Sequence, residues 1–338
     1  KVVEKLLKLH PWAGMAKLVR TGGEANALAI RIGRAYSGKD KVAVCGYHGW
    51  HDWYLSSNLN KKNNLDDLLL PGLVPAGVPK KLNGLTIPFK YNDLDSFFSV
   101  IKNNDIGIIK MEVSRSTKPS EGFLETIRKV ATKKGIILIF DECTSGFREA
   151  NGGIHKNFKV YPDIAIFGKA LGNGYAINAI IGRKEVMQAA QKSFISSTFW
   201  TERIGPTAAI KTLEIMKREK SWKIITSKGK KIKKIWMKIS KDIELPINIS
   251  GLDAIAKFSF MSKDNLKYKT YLTQEMLKKN ILASNSIYVS ISHTDEILRE
   301  YEHYLRKIFY KIKDCENGDT IDNYLETDVC HSDFQRLN

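Results

Sequence analysis

The sequence predicts an α/β protein with a mainly parallel sheet in a large domain, followed by a small α+β domain. Short apolar runs alternate with helical patterns from residue 15 to about 205. Two of these runs end on residues of opposite charge, Asp141 and Lys169. The alternation breaks off after Pro206.

The first strand is expected at 15–20. Ala25, Leu28, Ala29, Ile32, Ala35 and Tyr36 then form one apolar helix face, and Gly38 stops the helix. Further strands are expected at 41–45, 106–111, 136–140, 164–167 and 177–181, with a helix over 120–134 stopped by Gly135. Continuous apolar strands separated by helices imply a sheet covered on both faces. Ligands of such sheets bind outside the carboxyl ends of the strands. Past Pro206 the pattern predicts helix over 207–241, strands within 245–261, helix over 268–280, strand over 281–291 and helix over 294–312. The expected domains are therefore 1–219 and 220–312, with a polar tail over 313–338.

A chain of 338 residues buries a large core. No apolar run reaches the roughly 18 residues of a membrane span. The amphipathic first ten residues carry no cleavage site, so no signal peptide is read. The chain does not open on Met, and residues are expected ahead of Lys1. Cys45, Cys143, Cys315 and Cys330 form no CxxC pair, a reduced, cytoplasmic pattern without a zinc site.

The formal charge of +18 raises the question of nucleic acid. The densest basic stretch, 217–241, sets Lys228, Lys230, Lys231, Lys233 and Lys234 among Ile225, Ile232, Ile235, Trp236 and Ile239 at near-helical spacing. That reads as a solvated helix face. No zinc-finger, ribonucleoprotein or glycine-clamp motif accompanies it, so neither nucleic acid nor membrane is an expected partner.

Four segments carry chemistry. In Arg20-Thr21-Gly22-Gly23-Glu24 a strand gives way to a helix. Backbone N–H groups and the helix dipole there suit an anion, Thr21 adds a hydroxyl, and glycine permits close approach. Gly46-Tyr47-His48-Gly49-Trp50-His51 follows a strand, so Tyr47 is placed to stack on a flat ring and His48 to meet its edge. His51 reads as a structural histidine, and a metal at His48 and His51 lacks a third ligand. Glu112 ends its strand either as a surface carboxylate or as support for a bound substrate or cofactor.

Asp141 follows five apolar residues, and a buried carboxylate needs a cation. Lys169 follows the apolar run 164–167 between glycines, where desolvation would favour a neutral amine. An acid and an amine at two strand ends suit the two ends of pyridoxal phosphate: the pyridine nitrogen on Asp141, the aldehyde on Lys169 as a Schiff base. Glu142 and Arg148 read as structural ion-pair members.

In this order, Thr-Gly-Gly-Glu-Ala, Gly-Tyr-His-Gly, Phe-Asp-Glu-x-x-x-Gly-Phe-Arg and Pro-Asp-x-x-x-x-Gly-Lys-x-x-Gly-x-Gly resemble class III pyridoxal-phosphate aminotransferases over about residues 5–310. The glutamate-1-semialdehyde 2,1-aminomutase-like branch is the nearest in pattern. The resemblance implies the fold type I architecture, a homodimer with shared active sites, and an amine donor and a carbonyl acceptor as substrates. It implies a phosphate cup at Thr21, Gly22 and Gly23, ring stacking by Tyr47, Asp141 on the pyridine nitrogen and Lys169 as the Schiff-base lysine. It sets Cys143 where the family usually has valine against the other ring face. It makes Thr198 the threonine that reaches the neighbouring subunit's phosphate.

Departures separate this chain from the branch. Arg-Thr-Gly-Gly stands where aminomutases commonly read Asn-Ser-Gly-Thr, and Phe199-Trp200-Thr201-Glu202-Arg203 replaces a Leu-Ser-Gly-Asn-like segment. Family members also carry a segment ahead of the position of Lys1. The expected activity is ping-pong amino transfer. An aminomutase, or a truncated non-catalytic relative, are the alternatives.

Overall fold

The computed structural model describes residues 1–60, 64–66, 68, 71–114 and 116–332. The chain divides into two compact units, Lys1–Ser114 with Lys118–Lys220, and Arg115–Thr117 with Ser221–Asn338.

Among the described residues of the first unit, one sheet contains β1 (Met15–Val19), β2 (Lys41–Cys45), β3 (Thr86–Pro88), β4 (Ile106–Glu112), β5 (Ile137–Glu142), β6 (Ile164–Phe167) and β7 (Asn178–Gly182), in the order β1-β7-β6-β5-β4-β2-β3. Neighbours from β3 to β6 pair in parallel, while β7 runs antiparallel to both β6 and β1. The strand expected at 177–181 lies one residue further on, and β4 and β5 include their terminal carboxylates. The edge strand β3 was not expected.

The two-residue period of the strands sorts the core into two faces. Ile164 and Ile166 pack with helix Gly22–Ser37, whereas Ala165 and Phe167 pack with helices Val2–Leu9 and Ile204–Glu219. Burying each large side chain contributes about 1.5–3 kcal/mol. Helix Gly22–Ser37 approaches the sheet closely at Gly33, where a Cβ would lie 2.7 Å from Ile108 Cδ1. Thr21 caps its start by accepting from the Glu24 N–H, and Gly38 closes it in the left-handed conformation.

In the second unit, β8 (Ile247–Ser250), β9 (Ile255–Phe260) and β10 (Ser286–Tyr288) form an antiparallel sheet in the order β10-β9-β8. Helices Ser221–Ile243, Asn265–Leu277 and Asp295–Glu316 share its core. The apolar residues of the basic stretch, Ile225, Ile232, Ile235, Trp236 and Ile239, are all buried there. Trp236 Nε1 donates to Tyr301 Oη at 2.9 Å. The helix expected over 207–241 is two helices, because Lys220 adopts a left-handed backbone, φ 50°, between Glu219 and Ser221. The final helix runs to Glu316, and Ile321, Tyr324 and Leu325 pack on the same core. Residues 333–338 lie outside the described residues.

Candidate active site

β1, β2, β4, β5 and β6 point the same way, so their carboxyl ends share one edge. That edge carries residues 21–23 after β1, Tyr47 and His48 after β2, Glu112 on β4, Asp141 on β5 and Lys169 after β6. Glu112 lies opposite Asp141 in the register, and Asp141 opposite Ile166.

One step of the pleat separates Asp141 from Glu142. Asp141 shares the parity of Ile137 and Ile139, which pack with helix Gly22–Ser37. Its Oδ2 accepts from His48 Nδ1 at 2.9 Å and Lys110 Nζ at 3.3 Å, and its Oδ1 from the Cys143 N–H at 3.1 Å. Burial opposes its charge, but the Lys110 ammonium and the His48 hydrogen bond outweigh that and hold it well below the usual carboxylate range. Burial, reinforced by Lys110, lowers His48 to about 4, so a neutral imidazole donates to Asp141 near neutral pH. Glu142 is buried against the opposite side, where Oε1 meets His155 Nδ1 and the His155 N–H.

Lys169 Nζ donates to Thr144 Oγ1 at 2.6 Å. The lysine is exposed, not desolvated as expected from the apolar strand before it: β6 ends at Phe167, and Lys169 already belongs to the turn beyond. Its φ of 43° is left-handed, which costs a lysine about 1–2 kcal/mol. Strain of this kind gathers where a fold must aim a side chain.

At the helix start, Glu24 Oε2 also accepts from the Arg20 N–H at 3.0 Å. Thr21 Oγ1 is thus used as an acceptor and keeps its proton for a ligand. The first N–H groups of the helix lack intrahelical partners. His51 closes over this turn, and a Cβ on Gly23 would lie 2.2 Å from its Cε1. The His51 Nδ1 is buried with no hydrogen-bond partner in the structure. A Cβ on Gly168 would lie 1.9 Å from Asn178 Oδ1 and 3.4 Å from Cys143 Sγ, while one on Gly22 would lie 3.8 Å from each. The structure therefore gathers Gly22, Cys143, Gly168 and Asn178, and Asn178 Nδ2 donates to the Arg20 carbonyl at 2.9 Å. Free N–H groups, a hydroxyl, an orphaned imidazole nitrogen and a cradle open only to glycine fit a phosphate. An ionised carboxylate and an amine fit the two ends of a pyridine aldehyde.

Tyr47 is partly buried, its ring edge-on to Tyr54 and its N–H donating to Glu112 Oε2 at 3.1 Å. Thr198 is exposed. Its neighbours lie along β1, with the Arg20 guanidinium 4.4 Å from the Phe199 ring and Lys17 Nζ 4.6 Å from the Trp200 ring. The sequence did not single out Lys110, Thr144 or Asn178, and His51 read as structural, yet the structure brings all four to this edge. The readable signal for Lys110 was a lone lysine inside an apolar strand. The other three act through contacts between distant segments.

This constellation on a mainly parallel sheet defines a pyridoxal-phosphate transferase. The class-III aminotransferase family model matches residues 1–294, and the chain belongs to that family. It is an aminotransferase, and its cofactor is pyridoxal phosphate. A 3-aminobutyryl-CoA aminotransferase from Cloacimonas acidaminovorans is 36% identical over 92% of this chain and 75% of its own length. A glutamate-1-semialdehyde 2,1-aminomutase from Citrifermentans bemidjiense is 30% identical over 88% of this chain and 75% of its own. In fold, the chain superposes on the PLP internal aldimine form of FumI from Sphingopyxis sp. MTA144 with a TM-score of 0.83, at 21% identity over 94% of this chain and 75% of that one. Among the described residues no helix is long and apolar enough to cross a membrane.

Proposed function

We propose that this chain exchanges an amino group between a donor amine and a carbonyl acceptor in two half-reactions, with Lys169 as the covalent anchor and proton carrier. The observation that carries the reading is Lys169 Nζ on the Thr144 hydroxyl, one strand over from the ionised Asp141. Bound pyridoxal phosphate supplies an electron sink for the bond broken at the amine-bearing carbon. Residues 21–23, with His51, hold its phosphate. Asp141 holds the ring nitrogen, with His48 orienting the carboxylate. Tyr47 and Cys143 flank the ring, and Glu112 fixes the Tyr47 backbone. Once displaced by the donor, Lys169 Nζ would take the proton from the amine-bearing carbon as base and, as acid, deliver it to the cofactor's aldehyde-derived carbon C4′ instead of back to the substrate.

The Cloacimonas relative is named for an amine on carbon 3 of an acyl-CoA. We therefore take 3-amino acids and 3-amino acyl thioesters as the first donors to assay, ahead of amines paired with sugar carbonyl acceptors. A homodimer, with Thr198 serving the partner's phosphate, accords with the exposed Trp50, Phe194, Phe199, Trp200 and Ile204. A cytoplasmic location accords with four free cysteines. The second reading is an aminomutase, favoured by relatives of that name at 25–30% identity.

Lys169→Ala is expected to abolish amino transfer and the cofactor's fixation to the chain by borohydride. Undiminished turnover by this variant would overturn the reading. Turnover of glutamate-1-semialdehyde without any added donor would favour the aminomutase.

A further inference from the structure

Lys110 is fully buried in β4, among Ile108, Ile109 and Met111. Sheet packing does not call for an amine here, and a buried cation is costly unless paired. Its partner is Asp141, the carboxylate assigned to the cofactor's ring nitrogen. Lys110 Nζ and His48 Nδ1 converge on the same atom, Oδ2, at 3.3 and 2.9 Å. Parity explains the reach. Lys110 lies two residues from Ile108, which packs with helix Gly22–Ser37, and Asp141 lies two residues from Ile139 on that same face.

We propose that Lys110 is a positioning residue that shares the negative charge of Asp141 with the cofactor's ring nitrogen, and so limits how firmly that nitrogen holds its proton. The inference rests on the assignment of Asp141 to that nitrogen. A carboxylate serving one cation raises that cation's proton affinity. When a second cation draws on the same oxygen, its repulsion lowers the affinity of the first. His48 is neutral near neutral pH and adds a hydrogen bond without adding charge. The Lys110 ammonium is thus the group that offsets Asp141. Burial lowers the lysine's own proton affinity, and the Asp141 charge opposes that.

The test loads the whole protein with pyridoxal phosphate labelled with ¹⁵N in the ring and follows the nitrogen's chemical shift against pH. Lys110→Met should raise the ring nitrogen's pKa by about one unit or more, a tenfold gain in proton affinity. Lys110→Arg, which keeps the charge, should leave it near the wild-type value. If the methionine variant does not fold, Lys110→Gln carries the same prediction. Melting of the cofactor-free variants reports folding separately. An unchanged or lowered pKa in the uncharged variants, with Asp141→Asn still lowering it, overturns the role of Lys110 and leaves Asp141 in place. If Asp141→Asn has no effect in either background, the assignment of Asp141 fails and the inference falls with it.

Discussion

Lys169 and Thr144 come from different strand ends and meet in a 2.6 Å hydrogen bond, amine to hydroxyl. Thr144 lies two residues past the end of β5, and Lys169 two past the end of β6. Neighbouring strands thus fix both partners, and the hydroxyl limits where an exposed lysine points. Thr144→Val keeps the shape and removes the acceptor. Amino transfer should fall about two- to tenfold, in line with a net hydrogen bond of roughly 0.5–1.5 kcal/mol. Thr144→Ser should recover most of it. Steady-state assays with a saturating donor distinguish the two, and wild-type rates in the valine variant would deny the hydroxyl any part in aiming Lys169.

Gly23 permits the closeness of His51. An added Cβ would meet the imidazole at 2.2 Å from Cε1 and 2.6 Å from Nδ1, so Gly23→Ala must displace the ring. Overpacking of this kind costs about 1–3 kcal/mol. Cofactor affinity, followed by absorbance titration, should fall at least about fivefold, since each 1.4 kcal/mol is a factor of ten. His51→Ala in the same chain removes the clash and should restore melting of the cofactor-free protein without restoring affinity. Full affinity in the double variant would show that His51 does not serve the phosphate.

Much of this site was readable because apolar strands announce their own ends. The runs into Cys45, Glu112, Asp141 and Phe167 each stop at the sheet edge that carries the candidate site, and glycines mark the turn at 22–23. The features that escaped share a physical cause. β3 is three residues long and closes on Pro88, too short for a period to show. The break at Lys220 is a left-handed lysine, and no glycine flags it. Lys110 passed as one polar residue in an apolar run, because the carboxylate that pairs it lies 31 residues away on another strand. The strand before Lys169 was expected at 164–167 and is found there; the exposure of Lys169 escaped because the turn beyond Phe167 sets it, and apolar periodicity carries no signal for a turn.

Glu142 and His155 form a separate buried unit. Glu142 also accepts from the Ile154 N–H and from Ser145 Oγ. Burial opposes its charge, and the His155 imidazole with these backbone donors outweighs that, holding it below the usual range. Removing one partner from such a buried pair costs about 3–5 kcal/mol. Glu142→Ala should lower unfolding free energy by that amount, and Glu142→Gln by less, because its carbonyl still accepts from the backbone. Urea titration of the cofactor-free protein measures both. A loss under about 1 kcal/mol for alanine would mean that the pair adds no more than an exposed one does.

Acid should unfold the protein beginning well above the carboxylate range, because two imidazoles are buried neutral. His10 Nδ1 donates to the Leu6 carbonyl, and its Nε2 accepts from the Gly153 N–H. Burial, the largest cause in both, lowers His10 and His48 from 6.5 to about 4. In the unfolded chain both take up protons as pH falls through 6.5, while the folded chain resists until about 4. Between those values the unfolded state binds more protons, so stability is full above 6.5 and is lost as pH drops toward 4. The loss is on the order of 3 kcal/mol per imidazole. Glu142, depressed below its unfolded 4.5, extends the same trend to lower pH, because protonating it frees His155. Urea midpoints should therefore decline steadily from neutral pH to about 4, and His10→Gln, which cannot ionise, should flatten the upper part of that decline. A midpoint that stays level until the carboxylates titrate would show that neither imidazole is held neutral by the fold.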